Sequence, residues 1–112
     1  MTLRVRFTPA ADAELLAVIT YIGADSPSAA VAFRDKALHT LSRLRDFPDS
    51  GRTLPEYPAL PFREVIVAPY RFFYQVKVDT VWIAAVWHGA QLVNPPENCG
   101  HVSLVGLGHA SR

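Results

Sequence analysis

Phe62–Gln91 reads FREVIVAPYRFFYQVKVDTVWIAAVWHGAQ, and this run decides the fold. It is dense in Val, Ile, Phe, Tyr and Trp, residues that suit a pleated, half-buried surface, with breaks at Ala68-Pro69 and Asp79-Thr80. Breaks this short permit hairpins and not crossovers. The spacing therefore predicts three antiparallel strands, over Phe62–Val67, Tyr70–Val78 and Val81–His88. A meander so apolar needs a cover on one face, and the first half of the chain has the pattern to supply it.

Leu3, Val5 and Phe7 alternate with Arg4 and Arg6, the period of a half-buried strand. Thr8-Pro9 then reads as a helix start, with Thr8 as cap and Pro9 at the first helical position, where its missing N–H is harmless. Asp12 and Glu14 suit the positive end of the helix dipole. Leu15, Val18, Ile19 and Ile22 form a stripe at helical spacing, and Gly23 is the expected stop. Asp25-Ser26-Pro27 repeats the start signal. A second helix is expected to reach about Asp46, burying Ala30, Phe33, Ala37, Leu41 and Leu44, with Arg43 and Arg45 in its last turn and Pro48 ending it. A turn this short makes the two helices an antiparallel hairpin.

Four prolines and Gly51 between Pro48 and Pro61, without periodicity, mark an extended connector back to the sheet. The order is strand, helix, helix, three strands. The first strand most simply joins the sheet beside the last, and the helical hairpin covers one face. The expected fold is a two-layer α+β domain, β-α-α-β-β-β, with an antiparallel sheet, over residues 1–91. Residues 92–112, which carry Asn94-Pro95-Pro96 and HVSLVGLG, form a tail that the pattern leaves unassigned.

Bulk properties narrow the class. The 112 residues are enough for one domain with a real core and too few for two. A formal net charge of +1 makes no case for a strongly basic nucleic-acid binder, though composition is silent on a small patch confined to one face. The single Cys99 has no disulfide partner and fits a reducing compartment. The opening MTLRVRF lacks a signal-peptide core and no run is long enough to cross a bilayer, so a cytoplasmic protein is expected. Cys99, His101 and His109 are too loosely spaced for a zinc site, and no cofactor motif is present.

Strand alternation places the candidate site residues. If Ala68-Pro69 is a two-residue turn, Val67 pairs with Tyr70, and Val65, Val67, Phe72, Val76 and Val78 share the covered face. Glu64 and Arg71 then oppose each other on the other face, within reach of an ion pair. Arg63 falls beside Tyr74 on the covered side in that register; a turn one residue longer puts it beside Arg71. Trp82 and Trp87 have opposite parity, which leaves one of them partly exposed, either as an anchor for a partner or as edge packing against the tail.

Taken together, the order of elements and several phrases resemble the RelE/ParE superfamily of toxins from bacterial type II toxin–antitoxin modules. The phrases are ADAELLAVITYIGADSPSAAVAF, Phe47-Pro48-Asp49-Ser50-Gly51-Arg52, Phe62-Arg63-Glu64, the run Pro69–Val76, and Val86-Trp87-His88-Gly89, within about Leu3 to Gln91. The resemblance implies two competing activities. Ribosome-dependent mRNA endonucleases of the superfamily use positions comparable to Glu56, Arg71 and His88, but here Gly89 replaces the Tyr that follows the His. Other nucleases rely on several cations where this chain has few. Members of the ParE branch poison DNA gyrase, and His followed by Gly is common among them, whereas Gln91 stands where that branch often has Arg.

By that resemblance the expectation is a ParE-like toxin that binds gyrase and is neutralised by a cognate antitoxin in a hetero-oligomer. Its contacts would come from the helical hairpin and from Arg63, Arg71, Phe73, Trp82 and His88. The alternatives are an mRNA endonuclease and a degenerate module that binds antitoxin without toxicity.

Overall fold

The computed structural model describes residues 2–89. The expected tail, with Cys99, His101 and His109, lies outside these residues. Strand β1 (Arg4–Phe7) leads into α1 (Pro9–Asp25) and α2 (Pro27–Ser42), which tightens into a 3-10 turn at Arg43–Arg45. The rest of the sheet follows as β2 (Arg52–Thr53), β3 (Arg63–Val67), β4 (Tyr70–Lys77) and β5 (Thr80–His88).

The five strands lie in the order β1-β5-β4-β3-β2. β1 does join beside the last strand, but it runs parallel to it, with Val5 opposite Val81 and Phe7 opposite Ile83. The sheet is therefore mixed rather than antiparallel. The long excursion through both helices and the connector lets the chain re-enter the sheet in either direction. The extra strand β2 arises within the connector, where Arg52 pairs with Glu64 and Thr53 with Arg63. Two residues are too few to show a period, so this pairing left no mark on the hydrophobic pattern.

Both helix starts form as the caps dictate. Thr8 Oγ1 accepts from Ala11 N at 3.2 Å, and Ser26 Oγ from Ala29 N at 3.1 Å, each ahead of a proline in the first turn. Gly23 does not stop α1. The helix runs two residues further, and Ser26 breaks it in an extended conformation that Pro27 enforces. Gly23 instead faces α2, where an added Cβ would meet that of Ala30 at 3.5 Å.

The main core lies between helices and sheet. Ala11, Leu15, Ala37, Leu41 and Leu44 pack on Val67, Phe72, Tyr74, Val81, Ile83 and Val86, with Val18, Ile19, Ile22 and Phe33 at the margin. Val67 pairs with Tyr70, so the two-residue turn holds. Val76 and Val78, expected under the helices, are 40% and 98% exposed. Val78 stands in the β4–β5 turn, with a φ of 56°. No helix among the described residues is long and apolar enough to cross a membrane.

The sheet's second face is not bare. Leu54, Tyr57, Leu60 and Phe62 from the connector cover Phe73, Ala84, Ala85 and Trp87 in a smaller core. Trp82 packs at its edge, half-buried. Trp82 and Trp87 share this face despite their parity because the β4–β5 register shifts: Phe73 opposes Ala85 while Tyr74 opposes Ile83. The extra residue, Ala84, is a bulge that flips the alternation between the two indoles.

Candidate functional site

Arg71 sits at the centre of the connector-covered face, 6% exposed. Its Nε donates to Glu64 Oε1 at 2.6 Å, and its two Nη atoms donate to the Glu56 carboxylate at 2.7 and 2.8 Å. The guanidinium carbon also lies 5.0 Å from the centre of the Phe73 ring. Glu64 is 1% exposed, and its other oxygen accepts from Arg52 Nε. The result is a chain of four alternating charges, Arg52–Glu64–Arg71–Glu56, linking β2, β3 and β4 to the connector.

The electrostatics follow from these contacts. The hydrogen bonds from Arg71 pull the Glu56 carboxyl down from an ordinary 4.5 to about 2, against a smaller opposing effect of burial. Arg71 is in turn pushed up, first by Glu56 and then by Glu64, with burial opposing. A carboxylate held that acidic is a weak proton acceptor near neutrality, and a guanidinium facing two carboxylates has little positive potential left for a phosphate. The cluster is built to hold the connector down.

The remaining site residues fall elsewhere. His88 opposes Tyr70, and the two rings meet edge-on with centroids 5.3 Å apart. Tyr70 in turn packs edge-on against Phe33 of α2, so His88 belongs to the helix side of the sheet and Arg71 to the other. The trio Glu56, Arg71 and His88 is thus divided: two members in contact and the third across the sheet. Arg63 falls beside Tyr74, where its Nη1 donates to Gly51 O at 2.8 Å and its Nε lies 3.8 Å from Asp49. Phe73 is fully buried. Trp82 keeps an open side, over which Arg6 places its guanidinium 5.6 Å from the ring centre.

Sequence reasoning anticipated the Glu64–Arg71 ion pair, but not as it forms, since it took the two as directly opposed residues. Glu64 opposes Phe73 and Arg71 opposes Ile66, so the two meet on the diagonal. It did not anticipate Glu56 or Arg52 as their partners. It also missed Glu14, read as a helix-dipole residue. Glu14 accepts from Val86 N at 2.9 Å and from Trp87 Nε1 at 3.2 Å, tying α1 to β5. The buried Tyr74 hydroxyl was a further omission: it donates to Pro48 O at 2.6 Å and accepts from Gly51 N at 2.9 Å. Glycine and proline close together in the connector were the available signal for such an anchor. Among the described residues no three His, Cys, Asp or Glu side chains cluster as metal ligands.

The profile of a family described as the ParE toxin of the type II toxin–antitoxin system parDE matches residues 5–93. The chain belongs to the ParE toxin family. Solved structures share its fold. The chromosomal ParDE toxin–antitoxin system from P. aeruginosa aligns with a TM-score of 0.64 at 18% identity, over 78% of this chain and 96% of that one. The RelBE2 toxin–antitoxin complex from Mycobacterium tuberculosis aligns with a TM-score of 0.52 at 24% identity, over 79% and 99%. At such identities the likeness is one of architecture. No curated protein matches the sequence. In this ParE-family toxin, then, the superfamily's two-layer frame carries a connector clamped by an ion-pair chain.

Proposed function

We propose that this toxin acts by binding, with DNA gyrase as its target, and that a cognate antitoxin neutralises it. The observation that carries the reading is the state of Arg71. Two carboxylates occupy its guanidinium, and His88 lies on the opposite side of the sheet. Cutting RNA through its 2′-hydroxyl needs a proton acceptor and free cations converging on one phosphate, and this arrangement disperses them. The ParE family match supports gyrase over the ribosome as target.

The helical hairpin is the antitoxin's landing surface in this reading. Leu16, Tyr21, Val31 and Leu38 are 64%, 76%, 58% and 37% exposed, offering apolar area to an amphipathic helix. Arg63, Trp82 and His88 offer partly accessible contacts on the sheet, whereas Arg71 and Phe73 act from beneath the surface.

Brief expression without antitoxin tests the activity. An SOS response with intact mRNA is expected. Codon-phased cuts in primer extension on cellular mRNA would instead establish an endonuclease, and the absence of growth arrest would establish a non-toxic binding module.

A further inference from the structure

The connector covers only part of the second sheet face. Beyond it, three strands line up two cross-strand rows: Arg4, Thr80 and Lys77, then Arg6, Trp82 and Gln75. All six share one side. Val5 and Phe7 pack with the helices, which turns Arg4 and Arg6 away from them. Phe73 and Trp82 belong to the connector-side core, and alternation along β4 puts Gln75 and Lys77 with Phe73. Arg4, Arg6 and Lys77 are exposed, while Thr80 and Gln75 form a nearly buried neutral floor between them. Asp79 borders the grid at the turn, where its carboxylate accepts from Thr80 Oγ1 at 3.0 Å.

Arg34, Arg52, Arg63 and Arg71 each have a carboxylate within 4.0 Å, whereas among the described residues Arg4, Arg6, Arg43 and Arg45 have none. Of these four, Arg4 and Arg6 stand on the sheet beside Lys77 and Trp82, and Arg43 and Arg45 lie in the 3-10 turn after α2. We propose that this grid of Arg4, Arg6, Lys77 and Trp82 is a surface for the phosphate backbone of a nucleic acid. The Arg6 guanidinium, which lies 5.6 Å from the Trp82 ring centre, swings from the indole to a phosphate and leaves the ring to an unstacked base.

Geometry and surface chemistry both support that occupant. Arg4 and Arg6 are about 7 Å apart along their strand, and Arg4 and Lys77 about 10 Å apart across two strand spacings. The cations thus spread in two dimensions around an aromatic platform, the combination that single-strand binders use. A protein partner needs an apolar interface core, and Leu16, Tyr21, Val31 and Leu38 are exposed on the helices. The six grid residues include no exposed aliphatic side chain, and only Val78, in the β4–β5 turn, stands exposed at the grid's border. Nucleic-acid interfaces are more polar and far more cationic. One molecule therefore presents an apolar surface for a protein and a separate cationic one for phosphate. This goes beyond the gyrase reading and does not depend on it, because the contact is measured with nucleic acid alone.

The test is fluorescence anisotropy of the full-length protein with labelled strands of about 12 nucleotides, as DNA, RNA and duplex, across a salt series. The native protein binds, with log Kd linear in log salt. Arg4→Gln/Arg6→Gln loses about tenfold in affinity at low salt and flattens the slope by roughly 1.4, the value for two lost single-strand contacts. Lys77→Gln flattens it by about half as much, and Arg34→Gln/Arg43→Gln leaves it unchanged. Quenching of Trp82 fluorescence accompanies single-strand binding more than duplex binding.

Failure of the native protein to bind at low salt overturns the proposal, as does a native slope in both grid variants. Competition by polyglutamate as effective as by an oligonucleotide of matched charge overturns it too, and reassigns the grid to an acidic protein segment. Circular dichroism confirms folding. If the double variant unfolds, Lys77→Gln carries the same criterion alone.

Discussion

Glu56 and Arg71 meet through two parallel hydrogen bonds of 2.7 and 2.8 Å, although one lies in a proline-rich connector and the other in the sheet's central strand. Bidentate pairing of this kind is the strong form of an ion pair. It fixes the connector at its middle, between Leu54 and Phe62, the two connector residues most deeply buried in the smaller core. The pair therefore adds a polar clasp to the apolar contacts that hold the connector over the second sheet face.

The two partners are unequal, and their substitution should show it. Arg71 also neutralises the buried Glu64, so Arg71→Ala leaves one carboxylate buried beside Arg52 alone and frees another. A loss of about 3–5 kcal/mol is expected. Glu56 is 40% exposed on its side chain, so Glu56→Gln should lose only about 1 kcal/mol. Urea unfolding of the two variants checks the order; equal losses would mean that Glu64 does not rely on Arg71.

Acid should remove the same contribution. The Glu56 carboxyl titrates at about 2 in the folded chain against 4.5 ordinarily, a depressed value. Its stabilisation is fully present above about pH 4.5 and is lost as the pH falls from there towards 2. Comparing native protein with Glu56→Gln isolates it from other carboxylates. The stability difference of about 1 kcal/mol at pH 7 should shrink through this window and vanish near its lower end. A difference that persists at pH 2.5 unchanged would assign the effect of Glu56 to packing.

Much of this arrangement could be read from the chain before folding it. The Ala68-Pro69 break set the β3–β4 register, and with it the Glu64–Arg71 pair and Arg63 beside Tyr74. Caps and periodic stripes located both helices, because those signals act within a few residues. What escaped was non-local. The pairing of Glu56 with Arg71 spans a connector with no period, and β2 is too short to show one. The bulge at Ala84 reversed the parity argument for Trp82 and Trp87, and nothing in an Ala-Ala pair announces an extra residue. Gly23 misled for a different reason: it serves helix contact with Ala30, while Pro27 does the stopping.

A second anchor of the connector is the Tyr74 hydroxyl. Tyr74→Phe leaves the Gly51 N–H and the Pro48 carbonyl without their partner, a loss of about 1–3 kcal/mol. Gly51→Ala acts on the same spot by crowding, since a Cβ there would lie 2.5 Å from the Tyr74 hydroxyl and 2.7 Å from the Glu64 carbonyl oxygen. It should lose about 1–3 kcal/mol as well. Because both changes act at one contact, the double variant should lose clearly less than the sum. Additive losses in thermal or urea unfolding would show that the two positions act independently.

Val78 offers a gain instead. It is a β-branched residue at a φ of 56° in the turn between β4 and β5, and it is 98% exposed. The left-handed region costs an L-residue about 1–2 kcal/mol, and at this exposure no buried contact offsets that cost. Glycine adopts the region freely, although its greater freedom in the unfolded chain takes back about 0.5–1 kcal/mol. Val78→Gly should therefore stabilise the toxin by about 0.5–1 kcal/mol, visible as a rise of several degrees in Tm. Val78→Ala separates the causes, because alanine keeps the strain and removes the β-branching. If alanine matches glycine, the turn's cost lies in the branched side chain; if alanine gains nothing, it lies in the backbone conformation that any Cβ resists.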